Sequence, residues 1–188
     1  LRWYRQMVGI SSIGDTTVVT NKWMLGTRNS FIIGISATFL ATALGTVAAL
    51  GLSRRNMPFK GTIMAILISP MIVPLIITSA GMFFFYSKVG LTHTYLGLIL
   101  AHTALGTPFV VITVTATLTG FDTNLIRASQ SLGADTMRTF FKVIMPLILP
   151  GVISGALFAF ITSFDEVVVV MFVGSVEQIT IPKQMWAG

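Results

Sequence analysis

An all-α, polytopic bundle of membrane-spanning helices is the fold class this sequence predicts, on three observations. Charged residues make up only 10% of the 188 residues while 54% are hydrophobic, and the mean hydropathy is +0.86. A soluble domain of this size carries about 25% charged residues, so the chain lacks the polar surface that would cover a water-soluble globule. Long apolar stretches alternate with short polar segments. Within two of these stretches small residues recur every four positions, the pattern that lets helices approach closely in lipid.

Residues 1–29 are mixed and polar and are expected to form an extracytoplasmic segment, with Trp3, Tyr4 and Trp23 suited to a membrane–water interface. The opening LRWYRQMVG has no apolar core of a cleavable signal peptide. With Leu1 in place of Met, the chain is expected to be a fragment without its true N-terminus. A transmembrane domain is expected over residues 30–188. Ser30 to Leu52 carries no charge, and its 23 residues (30 to 52) would make about 35 Å of helix, enough to cross the hydrocarbon layer. Ala37, Ala41, Gly45 and Ala49 lie along one stripe of it. A second span is expected at 61–86, interrupted by Pro70 and Pro74, and a third at 95–120, with His102 and Pro108 inside. The fourth, 143–174, starts with Pro146 and Pro150 and repeats the stripe at Gly151, Gly155, Ala159 and Ser163.

Alternating spans place the loops at 53–60 and 121–142 on one side, and 1–29, 87–94 and 175–188 on the other. Of the 12 Lys and Arg, six fall on each side. Arg2 and Arg5 lie far from the first span, and discounting them leaves Arg54, Arg55, Lys60, Arg127, Arg138 and Lys142 marking the cytoplasmic face. The net charge of +6 is scattered between apolar runs, so nucleic acid is not an expected partner. With no cysteine, disulfides, thiolate metal sites and thiol nucleophiles are excluded. His93 and His102 have no companion at a metal-ligand spacing. His102 is expected to be a packed, hydrogen-bonded helix residue, Trp23 and Trp186 interfacial anchors, and the methionines packing filler.

One loop stands apart: FDTNLIRASQSLGADTMRTFFKVIMPLILP, residues 121 to 150. Asp122 is placed to cap a short helix, Gly133 to stop it, and Asp135 to cap a second helix running into Pro146. Leu125, Ala128, Ser129 and Leu132 share one face of the first helix. This segment resembles the cytoplasmic EAA loop of permeases of ATP-binding-cassette (ABC) importers, whose pattern is Glu-Ala-Ala, three residues, Gly, nine residues, Ile, one residue, Leu-Pro. Here it reads Arg127-Ala128-Ser129, three residues, Gly133, nine residues, Val143, Ile144, Met145-Pro146. Arg127 departs by replacing the acidic residue that in the family helps contact the ATPase. The likeness covers nearly the whole chain. It is closest to permeases of the spermidine/putrescine type, through PFVVITVTATLTGFD before the loop and SFDEVVVVMF after it.

The resemblance implies a permease of six family spans, of which the first and last are missing here. It also implies a multi-pass location in the bacterial inner membrane. The implied partners are an ABC ATPase, a sister permease, a periplasmic or surface solute-binding protein, lipid, and a small organic solute of polyamine type. Arg127, Ala128, Ser129, Gly133 and Pro146 would form the ATPase-coupling loop. No GxxxxGK[ST] run occurs, so no cofactor is expected on this chain; ATP and Mg would bind the partner ATPase, and the chain is not itself expected to be an enzyme. Asp165 and Glu166 interrupt the fourth apolar stretch, and intramembrane carboxylates are costly groups that face a cavity or a partner. They are the candidate lining of the substrate pathway. Open alternatives are an ABC permease for an opine or aminophosphonate, or a secondary transporter using these two carboxylates.

Overall fold

The computed structural model describes residues 16–54 and 56–187; Arg2, Trp3, Tyr4, Arg5 and Arg55 lie outside the described residues. Among the described residues the chain is helical: α1 (Thr16–Leu52), α2 (Lys60–Ile72), α3 (Leu75–Val89), α4 (Tyr95–Thr119), α5 (Asn124–Ser131), α6 (Thr136–Asp165), α7 (Val168–Val173) and α8 (Ile181–Ala187). Helices α1, α4 and α6 pack on one another as a three-helix core. Each of the three is long and apolar enough to cross a membrane, and α2 and α3 add a fourth crossing if the bent pair is counted as one span.

Small residues explain the core. In lipid there is no hydrophobic force between helices, so close backbone packing must hold them. Ala37, Ala41, Gly45 and Ala49 on α1 are all buried, as are Gly151, Gly155, Ala159 and Ser163 on α6. Gly106 of α4 sits between them: a methyl added there would lie 3.0 Å from the Ala159 Cβ and 3.4 Å from the Ala41 Cβ. At Gly155 an added Cβ would come within 2.8 Å of the Val110 Cα and 2.5 Å of the Thr113 hydroxyl. Because a backbone atom cannot step aside, Gly155→Val is expected to separate α4 from α6 at a cost of about 1–3 kcal/mol. The expected readout is a lower melting temperature and a lost monodisperse peak in detergent, with Gly155→Ala milder.

A row of threonines on α4 is satisfied locally. Thr103, Thr107, Thr113 and Thr117 donate back to the carbonyls of Ile99, Thr103, Phe109 and Thr113, respectively, which removes the cost of a bare hydroxyl in an apolar setting. The outer faces stay apolar and uncovered, with Phe39, Ile66, Ile72 and Phe84 all more than half exposed.

Three boundaries differ from the sequence expectation. The first helix begins within the expected extracytoplasmic segment, at Thr16, and its span runs over Lys22–Leu52. The second stretch is two helices bent by 103°. Val73 is extended and Pro74 starts the next turn, because proline disfavours helical backbone at the residue before it. The fourth stretch does not begin at Val143. Its helix starts in the loop, at Thr136, and stops at Asp165. It passes Pro146 through a π-turn over Phe140–Ile144, in which the Met145 N–H reaches the Phe140 carbonyl five residues back. That widened turn relieves the clash a proline ring makes with the carbonyl four residues before it.

Candidate functional site

At one end of the bundle lie the 53–60 and 120–135 segments. Thr123 opens α5, and the Asp122 carboxylate accepts from the Asn124 N–H at 2.9 Å. The helix ends in a Schellman turn: Gly133 N–H reaches the Gln130 carbonyl at 3.0 Å and Ala134 N–H the Ser129 carbonyl at 3.1 Å. Gly133 has φ 81°, with nothing within 4 Å of where a Cβ would be. The backbone, not crowding, demands glycine. Asp135 then caps α6, accepting from the Arg138 N–H at 2.7 Å.

Ser129 and Thr139 join the two helices through their hydroxyls, 2.7 Å apart. Arg127 and Ala128 are exposed on α5, and Pro146 is exposed on α6. The shared face expected of α5 is uncovered: Leu125 is 43% and Leu132 88% exposed, and Met137 just beyond the turn is 64% exposed. Apolar residues left out at the loop suit a protein partner better than water.

From the Ser129 contact, α6 runs as one rod of 30 residues, about 45 Å, to Asp165. There the helix breaks. Glu166 is extended and buried, and its Oε1 accepts from the Val169 N–H at 2.8 Å, capping α7. Asp165 is exposed. The two adjacent carboxylates therefore have different surroundings: Glu166 is spent on a helix start, and Asp165 stands at a helix C-terminus, where the macrodipole disfavours an anion. His102 is buried one turn away on α4, its Nδ1 2.8 Å from the Ser163 hydroxyl.

The same end of the bundle holds a polar clasp that sequence reasoning missed. Asn29 on α1 is fully buried and donates to the carbonyls of Glu177 at 3.1 Å and Ile179 at 2.9 Å, while Tyr95 donates to its Oδ1 at 2.9 Å. Ser30 accepts from the Ile181 N–H, capping α8 from another helix. Gln178 ties the Ser175 N–H to the His93 carbonyl, which holds His93 in its left-handed conformation, φ 60°. Lys183 donates to the carbonyls of Val170 and Ser175, and burial pulls its pKa below the ordinary lysine value. Nothing in a lone Asn29 signals a partner about 150 residues away. Only its position, at the polar edge of an apolar run, offered a clue.

The model of the family described as binding-protein-dependent transport system inner membrane component matches residues 13–186. The chain is 33% identical over 159 residues to the spermidine/putrescine transport system permease protein PotC of Haemophilus influenzae, covering 85% of this chain and 62% of that protein. Identity to the PotC of Escherichia coli K12 is 26% over 186 residues, 99% of this chain and 67% of that protein. The osmoprotective compounds uptake permease protein GgtD of Synechocystis is 30% identical over 143 residues, 76% of this chain and 48% of that protein. The chain thus spans about half to two thirds of the length of these relatives.

Proposed function

This chain belongs to the family of binding-protein-dependent transport system inner membrane components, and from that premise we propose that it is the permease core of an ATP-driven importer for a small organic cation of polyamine type. The observation that carries the reading is the rigid connection between the two candidate sites. The exposed apolar face of α5 docks on a separate ATPase subunit, Ser129 and Thr139 lock that helix to α6, and α6 ends on Asp165. A shift of α5 when the ATPases close moves the whole rod, so the carboxylate end rocks with it; such rigid-body rotation is a known route to switching. A solute-binding protein delivers substrate at the clasp end, and a sister permease covers part of the exposed apolar surface. The assembly sits in a bacterial inner membrane with the α5 end in the cytoplasm.

Asp165 selects charge. It is exposed, sits at a break in an apolar helix, and would attract an ammonium group. A carboxylate at this position favours a cationic solute, so the relatives named for polyamine transport are the better guide to substrate than the one named for osmoprotective compounds.

The test is uptake of radiolabelled spermidine and putrescine by proteoliposomes containing the full-length protein with its ATPase, sister permease and binding protein. Uptake is expected only with ATP inside and the ATPase present. Proton-driven uptake indifferent to the ATPase would overturn the importer reading. ATP-driven uptake of a different solute, with polyamines ignored, would overturn the polyamine assignment alone.

A further inference from the structure

Beneath α5 lies a pocket of about 470 Å³, within the 300–1,000 Å³ range of sites that hold small ligands. Its floor is Leu50 at the end of α1 and Leu118 at the end of α4, and its roof is Ile126 of α5. Phe140 and Ile144, on the π-turn of α6, form the back wall. Arg54 is exposed at the rim and Ile126 is half-buried. The pocket is mostly apolar, with Ser53, Thr123, Gln130, Thr136 and Thr139 also on its lining and the Arg54 cation at its mouth, and it sits where two membrane-crossing helices end.

Its surroundings are strongly one-signed. Among the described residues, the segments at this end carry Arg54, Lys60, Arg127, Arg138 and Lys142 against Asp122 and Asp135. A short basic loop directly following a membrane helix is the arrangement that gathers acidic phospholipid. The chemistry of pocket and rim matches one molecule: an acyl chain for the interior and a phosphate for the guanidinium, which binds phosphate in a forked, charge-assisted contact.

We propose that this pocket is a regulatory site for one anionic phospholipid, whose acyl chain lies between α5 and the helix ends and whose headgroup rests on Arg54. Because Ile126 and the π-turn face the pocket from the two halves of the coupling loop, an inserted chain supports α5 at a fixed height above the membrane. The lipid thereby sets how firmly the lever is held. The inference needs the chain to lie in a membrane and does not depend on which solute is carried.

The experiment places a tryptophan in the roof, Ile126→Trp, with Trp3, Trp23 and Trp186 replaced by Phe and the same complex retaining Ile126 as the fluorescence baseline. The full-length protein, assembled with its partner subunits, goes into nanodiscs whose lipids carry bromine on the acyl chains. Brominated phosphatidylglycerol is expected to quench Ile126→Trp several-fold more than brominated phosphatidylcholine. Arg54→Gln is expected to erase that preference, and Lys60→Gln, basic but outside the pocket, to preserve it. A second reporter on the opposite wall, Phe140→Trp, covers the case in which the first fails to assemble. Equal quenching by the two lipids, or no quenching by either, overturns the site. Loss of the preference in Lys60→Gln to the same extent as in Arg54→Gln overturns it as well, by reducing it to diffuse surface charge.

Discussion

Replacing Asp165 by Asn is expected to leave the complex assembled and to raise the KM for spermidine uptake by about tenfold or more, while Glu166→Leu prevents assembly. The two carboxylates are neighbours in sequence, and their separation rests on one hydrogen bond. Glu166 Oε1 accepts the Val169 N–H at 2.8 Å inside the protein. Removing a helix cap costs about 0.5–2 kcal/mol, rising toward about 1–3 kcal/mol where the freed N–H is buried, as here. Glu166→Gln keeps a carbonyl oxygen at the same place and is expected to assemble, which distinguishes loss of the cap from loss of charge. Among the described residues Asp165 makes no such contact. At the C-terminal end of α6 its charge opposes the helix dipole by about 0.3–1 kcal/mol, so Asn is expected to be neutral or mildly stabilising for the fold. A charge-assisted hydrogen bond to a substrate ammonium is worth about 1.5–3 kcal/mol, and about 1.4 kcal/mol is tenfold in affinity. Uptake with unchanged KM in Asp165→Asn would remove this residue from the pathway, and a rise in KM with Vmax preserved would place it there.

Sequence pattern reached the elements that depend on composition or on single-residue stereochemistry. The apolar runs, the small-residue stripes at Ala37–Ala49 and Gly151–Ser163, the Asp135 cap and the left-handed Gly133 all follow from local rules, and the structure places each accordingly. His102 is packed and hydrogen-bonded, as an isolated histidine in an apolar helix should be. The misses share a different cause. Whether Pro70, Pro74, Pro146 or Pro150 breaks a helix depends on what the neighbouring turn can absorb. A π-turn lets α6 run through Pro146, whereas α2 ends and bends by 103° before Pro74. The break at Glu166 was hidden inside the hydrophobic run 143–174, since the valines on either side fit either state. Asn29, Tyr95 and Gln178 act through contacts between distant segments, which periodicity cannot see. The divergence of Asp165 from Glu166 was foreseeable only as a statement that adjacent helical residues cannot point the same way.

Gly133→Ala is expected to reduce ATP-driven uptake by about fivefold to thirtyfold, and Gly133→Asn to restore most of it. At φ 81° an L-residue pays about 1–2 kcal/mol, which lowers the population of the turn by roughly that factor. Asparagine tolerates the left-handed region far better than alanine, so its rescue separates a backbone requirement from a need for an empty space, which the open surroundings of Gly133 already argue against. The effect should appear as lost transmission between the subunits rather than lost folding. The small-residue contacts that hold α1, α4 and α6 together, around Gly106, Gly155 and Ala159, lie well away from this turn, so yield and melting temperature are expected to change little. What changes is the angle between α5 and the rod of α6, and with it the ability of the Ser129–Thr139 contact, 2.7 Å long, to carry motion from the ATPase. Stimulated ATP hydrolysis in the assembled transporter is therefore expected to fall with uptake. If Gly133→Ala instead transports normally, the turn is a passive connection, and the lever must run through the π-turn and its pocket rather than through α5.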